Sequence, residues 1–237
     1  MDAKKLKGRP ALPFETIGVA VAFSPKLEAT LTEAKQLADT FKAKLLVLHI
    51  GKHSPEKEAT LLEVCANLGI DREVKIIWQS GDIVTTLLDS CKQHIVDLLI
   101  LGARRRENVF RYYLGSVARS LSRQAKCSLL LLTEPKVTGT SFQRIVVDCV
   151  DHPKTAHTLD TALYFGEQAE SLELQAVREI DPSGLAMALS DDSTTGERSQ
   201  VKEQLTVEAE EKLQALTASR SPRRLRMETA VLTGRPG

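Results

Sequence analysis

Five short apolar runs separated by segments of helical periodicity restrict this chain more than any other feature. The runs are Thr16 to Phe23 (TIGVAVAF), Lys44 to Ile50 (KLLVLHI), Glu73 to Trp78 (EVKIIW), Asp97 to Leu101 (DLLIL) and Ser128 to Leu132 (SLLLL). Between them, apolar residues recur at helical spacing: Leu27, Leu31, Ala34, Ala38 and Phe41, then a segment from Pro55 to Leu68. After a turn at Ser80, Gly81 and Asp82 come Ile83, Leu87, Leu88, Cys91 and Ile95, and a fourth helix opens at Gly115 with Val117, Leu121 and Ala125. A strand that is apolar on both faces must be covered on both faces. Crossover helices over a parallel sheet supply that cover, so residues 14–134 predict a doubly wound, parallel five-stranded α/β sheet.

The pattern restarts after a linker-like stretch, Glu134 to Ser141 (EPKVTGTS). Strands are predicted at Arg144 to Val150, Leu172 to Ile180 and Leu225 to Leu232, with helices at Thr155 to Ala169 and Val201 to Thr217 and a loop over 181–200. The second half thus reads β-α-β-α-β and lacks any equivalent of the first half beyond the Gly81 turn. The expected organisation is a first domain at 1–135, a linker at 136–142 and a partial second domain at 143–237. Either the chain belongs to a longer tandem protein, or the half-sheet is completed by the first half or by another subunit.

Charge narrows the partners. Lysine plus arginine number 32 and aspartate plus glutamate 31, so no net field favours nucleic acid or an anionic membrane. No stretch reaches the roughly 20 apolar residues of a membrane helix, and no apolar signal core comes after the lysines of the first ten residues, so a cytoplasmic protein is expected. Cys65, Cys91, Cys127 and Cys149 form no C-x-x-C pair and read as buried, reduced thiols. His49, His53, His94, His152 and His157 make no ligand set with them, so no metal is expected.

Three segments carry a family resemblance. VDLLILGARRR, with Asp97, Leu98, Leu99, Ile100 and Gly102, LGSVARSLSRQAKCSLLLL, with Gly115, Ser116, Cys127 and Leu129, and Gly81 followed by Ile83 resemble the universal stress protein family. The resemblance implies an adenine-nucleotide alpha-hydrolase-like fold with strand order 3-2-1-4-5 and a ligand crevice where the order reverses, between strands 1 and 4. Members that bind ATP carry Gly-x-x-Gly, a nine-residue spacer, then Gly-Ser or Gly-Thr. Here Gly102, Gly115 and Ser116 hold the outer positions and Arg105 stands in place of the middle glycine. The aspartate that the family places after strand 1 is replaced by Ala22, while Ser24 keeps the neighbouring position.

Glycines at such positions let backbone approach phosphates, and a helix start presents amides and a positive dipole end to an anion. Arg104, Arg105, Arg106 and Arg111, opposed only by Glu107, offer guanidinium forks as another anion receptor or form a solvated loop. The candidate ligand residues are therefore Ser24, Gly102, Arg104, Arg105, Gly115 and Ser116. In the second half Gly234 and Asp151 stand near family positions, but no Gly-Ser helix start comes after them.

The expected function is a universal-stress-type regulatory or ligand-binding module with a degenerate site for ATP or a related nucleotide. It is expected to have no catalytic residues and to be the soluble part of a larger protein. The alternatives are a structural, dimerising domain without nucleotide and a slow ATP hydrolase, for which the crevice offers no evident base. A homodimer is expected, with a membrane-transporter or signalling partner as the further expectation and no nucleic acid.

Overall fold

A computed structural model describes residues 12–70, 74–103, 115–137, 142–180 and 195–232, with backbone alone for 195–199. The chain divides into two compact units, 1–141 and 142–237. The first contains β1 (Thr16–Ala20), α1 (Leu27–Phe41), β2 (Lys44–Ile50), α2 (Pro55–Asn67), β3 (Lys75–Gln79), α3 (Ile83–Gln93), β4 (Leu98–Gly102), α4 (Ser116–Gln124) and β5 (Ser128–Leu132). Its strands form one sheet of order β3-β2-β1-β4-β5, parallel throughout. The chain therefore starts in the middle of the sheet, runs to one edge, and returns past its start to build the other side. That return puts the order reversal between β1 and β4, as the family resemblance implied.

Burial explains why these runs pair. Val47, Leu48, Leu99 and Ile100 are adjacent along their strands and all fully buried, so both faces of the sheet are covered. Leu46, Leu48, Leu99 and Leu101 share one cluster with Leu87 and Cys91 of α3 and Leu121 of α4. Side-chain caps start two of the helices: the Ser54 oxygen accepts from Lys57 N ahead of Pro55, and Asp82 accepts from Thr85 N at 2.9 Å. That amide and the Thr85 hydroxyl hold the Asp82 carboxyl below its ordinary range. Gly81 ahead of it has φ +144°, a conformation that a side chain would strain.

Asp97 fastens the amino end of the sheet. Its Oδ2 accepts from Glu15 N at 2.9 Å and Thr16 N at 3.0 Å, its own N–H donates to Thr16 O at 2.9 Å, and its carbonyl accepts from Ser128 N at 3.0 Å. One residue thus ties β4 to the entries of both β1 and β5. At the other end β1 leaves the ladder at Ala20, before the predicted Phe23. Val21 N still reaches Leu48 O, but Ser24 N then turns back to Ala22 O and Leu27 N to Ser24 O, which peels the chain away from the sheet.

The second unit contains β6 (Arg144–Asp148), α5 (Thr155–Gln168), β7 (Glu173–Glu179), α6 (Thr195–Thr217) and β8 (Arg226–Leu232), with a parallel sheet of order β6-β7-β8. Its connectivity repeats that of β1-α1-β2-α2-β3. Its separate core joins Val147, Cys149, Leu159, Leu174, Ala176, Leu213 and Leu225. Helix α6 begins at Thr195, inside the stretch predicted as loop. Once Ala209 and Leu213 dock, each residue added upstream gains one backbone bond, so polar Thr195 to Gln200 join without an apolar pattern. No helix of the described residues is long and apolar enough to cross a membrane.

Candidate functional site

Helix α1 follows β1 and helix α4 follows β4, so in a parallel sheet both begin at the carboxyl edge. Ser24, exposed in the β1–α1 corner, accepts from Lys26 N at 3.4 Å. Gly102 ends β4, and a Cβ there would stand 3.6 Å from Thr30 Oγ1 of α1, an ordinary contact. The first turns of α1 therefore sit directly against the end of β4. Lys26, which the sequence did not single out, donates its Nζ to Thr133 O at 2.8 Å. Because β4 lies between β1 and β5, this side chain crosses the carboxyl end of β4. Behind it, buried Glu33 accepts from Lys136 N at 3.0 Å, which binds α1 to the segment after β5.

Gly115 and Ser116 form the opposite wall, at the start of α4. Gly115 has φ −58°, no described side chain caps the helix, and no acidic residue lies in its first turn. A Cβ on Gly115 would meet no described atom within 4 Å. The leading amides of α4 thus carry no side-chain cap among the described residues and lie at the positive end of the helix dipole, an arrangement that attracts anions. Arg104 and Arg105, with Arg106 and Arg111, lie outside the described residues. Of the six predicted ligand residues, the fold brings Ser24, Gly102, Gly115 and Ser116 to one end of the sheet.

The other half of that edge is filled by aromatic side chains that motif reading missed. His49 at the end of β2 lies opposite Trp78 of β3 in register, their rings 4.9 Å apart, and Phe23 stands 4.9 Å from His49 and 6.0 Å from Trp78. His53 approaches Trp78 at 5.0 Å, and the Lys57 ammonium lies 5.6 Å over the Phe23 ring. His49 donates Nδ1–H to Val21 O at 3.0 Å, and its buried Nε2 has no partner among the described residues. Gly51 makes the room, since a Cβ there would lie 2.8 Å from that nitrogen. Among the described residues this packing covers the β2–β3 side of the edge and not the β1–β4 side, where Ala22, exposed, brings no carboxylate.

The corresponding corner of the second unit is a salt cluster. Asp151, just past β6, receives Arg178 Nη2 at 3.1 Å and Lys212 Nζ at 3.5 Å, while Arg178 Nη1 donates to Cys149 O at 3.1 Å. Lys212 also pairs with Glu208 at 2.6 Å, which lowers the carboxyl of Glu208 and raises the ammonium. A cavity of about 290 Å³ opens there, lined by Val150, Ile180 and Leu205 beside these charges. Both cations already serve internal carboxylates. Gly234 lies outside the described residues, and among those described no cluster suited to a metal ion occurs.

Residues 52–133 match the family model described as universal stress protein family. No curated protein matches the sequence. Among solved structures, a universal stress protein from Archaeoglobus fulgidus DSM 4304 is similar with a TM-score of 0.60 at 15% identity, over 95% of this chain and 80% of that one. A functionally unknown protein from Pseudomonas aeruginosa PAO1 gives a TM-score of 0.60 at 14% identity, over 92% of this chain and 74% of that one. At such identities the likeness concerns the fold. The family match begins just after β2 and runs through β5, so it takes in the strand that reverses the sheet order and both glycines beside the crevice; the first unit is a universal stress protein family domain.

Proposed function

We propose that the first unit is a regulatory module that binds a nucleotide, or a related phosphate-bearing anion, between β1 and β4 and does no chemistry on it. The observation that carries this reading is the start of α4 at Gly115 and Ser116, which among the described residues has no side-chain cap and no acid in its first turn. The ligand site is degenerate. Ala22 replaces a carboxylate, Arg105 replaces a glycine, and the β1–β3 side of the edge is taken up by Phe23, His49 and Trp78. Among the described residues neither a base nor a metal-binding carboxylate is identified at the crevice, which disfavours an ATP hydrolase. A cytoplasmic setting and a membrane-transporter or signalling partner belong to the same reading.

Calorimetric titration with ATP at two salt concentrations tests it on the unaltered protein and on Arg105→Gly. Glycine restores backbone approach to phosphate at the loss of one guanidinium, so binding is expected to tighten about tenfold, or ~1.4 kcal/mol. Weaker binding with a flatter salt dependence would instead make the arginines the anion receptor. Absence of heat with either protein would favour the purely structural alternative.

We further propose that the protein is a homodimer. Leu129, Leu130 and Leu131 on edge strand β5 are only half-buried, and Val146 on edge strand β6 is 65% exposed. Unpaired edges with apolar side chains call for a partner. Light scattering is expected to give twice the chain mass of 26.1 kDa; a monomer mass at every concentration would refute this.

A further inference from the structure

We propose that β6 pairs antiparallel with β6 of a second copy of this chain, joining two three-stranded sheets into one of six; this interface rests on the homodimer reading. Among the described residues β6 is an edge strand. Gln143 O accepts from Leu172 N at 2.9 Å and Cys149 N donates to Val177 O at 2.7 Å, so the odd-numbered residues of this stretch turn their backbone groups towards β7. Alternate residues of an extended strand point opposite ways. Arg144, Val146 and Asp148 therefore turn N–H and C=O to the outer edge. In the first unit the equivalent edge of β1 holds β4.

The side chains of Arg144, Val146 and Asp148 share the face that looks away from the core residues Ile145, Val147 and Cys149, and all three are exposed. Their order makes the strand complementary to its own reverse. A two-fold axis through Val146 sets Arg144 opposite the partner's Asp148, Val146 opposite the partner's Val146, and Asp148 opposite the partner's Arg144. Because these residues point their backbone groups outward, each opposed pair exchanges two N–H···O=C bonds, and an ion pair forms on either side of the valine contact.

Other pairings lack this match. Moving the axis to Ile145 sets Arg144 against valine, and moving it to Val147 does the same to Asp148, so both ion pairs are lost. The other edge strands, β3, β5 and β8, paired with themselves in the same way, set Lys75 against Gln79, Ser128 against Leu132 and Arg226 against Leu232. The charges on β6 are also available. Asp148 has no ion pair among the described residues, and Arg144, whose side chain is 77% exposed, reaches Glu173 through Nε and Nη2 at 3.2 Å and keeps Nη1 for a second carboxylate.

Charge reversal on the full chain tests the pairing. Arg144→Asp makes both ends of the edge acidic and Asp148→Arg makes both basic, so each variant alone opposes like charges across the axis. Each is expected to dimerise at least about tenfold more weakly than the unaltered chain in sedimentation. Mixed in equal amounts, the acidic edge meets the basic one, and the heterodimer is expected to regain the strength of the unaltered dimer. Val146→Cys gives an independent reading, since the opposed Cα atoms lie about 5.5 Å apart, within the span of a disulfide, and mild oxidation should link two chains through the introduced thiols. If a charge variant fails to fold, that linkage decides. A dimer equally strong in both charge variants, no recovery on mixing, or no linkage would overturn the β6 interface and leave the homodimer reading in place. A monomer mass for the unaltered chain at every concentration would overturn both.

Discussion

Replacing Gly115 by aspartate is expected to cost at least about 100-fold in anion affinity, or ~2.7 kcal/mol, while leaving the fold intact. The backbone there has φ −58°, which any residue adopts, and a Cβ meets no described atom within 4 Å, so sterics do not oppose the change. Aspartate is also a favoured residue at a helix start, where its carboxylate accepts from the first-turn amides and is worth about a few tenths of a kcal/mol over glycine. Those are the amides that the proposed phosphate would use. The side chain therefore occupies the receptor and repels the ligand together, and melting temperature should stay level or rise as affinity falls. Calorimetry and thermal melting on one preparation separate the cases. Unchanged affinity would move the ligand away from α4, and joint loss of affinity and stability would make the effect one of folding.

The largest stability effect is expected at Asp97. Asp97→Ala leaves Glu15 N and Thr16 N without their carboxylate in a part-buried setting, at about 1–3 kcal/mol for each orphaned amide. The loss should therefore be roughly 2–6 kcal/mol, a large share of the stability of an ordinary domain. Asp97→Asn keeps a carbonyl oxygen for the same two amides and should lose only about 1 kcal/mol. Urea denaturation of the three proteins measures this. Asp97 lies at the amino edge of the sheet and the crevice at the carboxyl edge, so the folded fraction of each variant should bind ligand equally well. A loss below about 1 kcal/mol for the alanine variant would show that water takes over the two amides.

Legibility in the sequence depends on the kind of signal each feature leaves. Strands β2 and β5 have the bounds their apolar runs predict, because Lys44–Ile50 and Ser128–Leu132 end where apolarity ends. Strand β1 does not, since Val21 to Phe23 are as apolar as the strand but serve the corner and the aromatic packing. Helix α6 outruns its sequence signal for the opposite reason, being extended by residues with no apolar period. Gly102, Gly115 and Ser116 could be nominated from the sequence because a glycine at a strand end or a helix start is a visible local signal, and the fold places all three at the carboxyl end of the sheet. Lys26 is not, because its partner is a carbonyl, which every residue has. The contact of His49 with Trp78 arises from strand register, which no local spacing encodes.

Strand β1 is shared between two neighbours that arrive at very different times. Its pairing with β2 needs only the crossover through α1, whereas the Thr16 amide meets the Asp97 carboxylate across 81 residues of chain. At a synthesis rate of about 5–20 residues per second, β1 waits roughly 4–16 s for β4. Through that interval β1, β2 and β3 can pair while Ile17 and Val19, fully buried in the finished domain, border an unfilled edge. The second unit shows the same three-strand arrangement, with Val146 of β6 exposed on the corresponding edge strand. Among the described residues the chain thus presents a five-stranded sheet and, separately, a three-stranded likeness of its first half, so the edge that β4 closes in the first unit can be seen on β6 of the second.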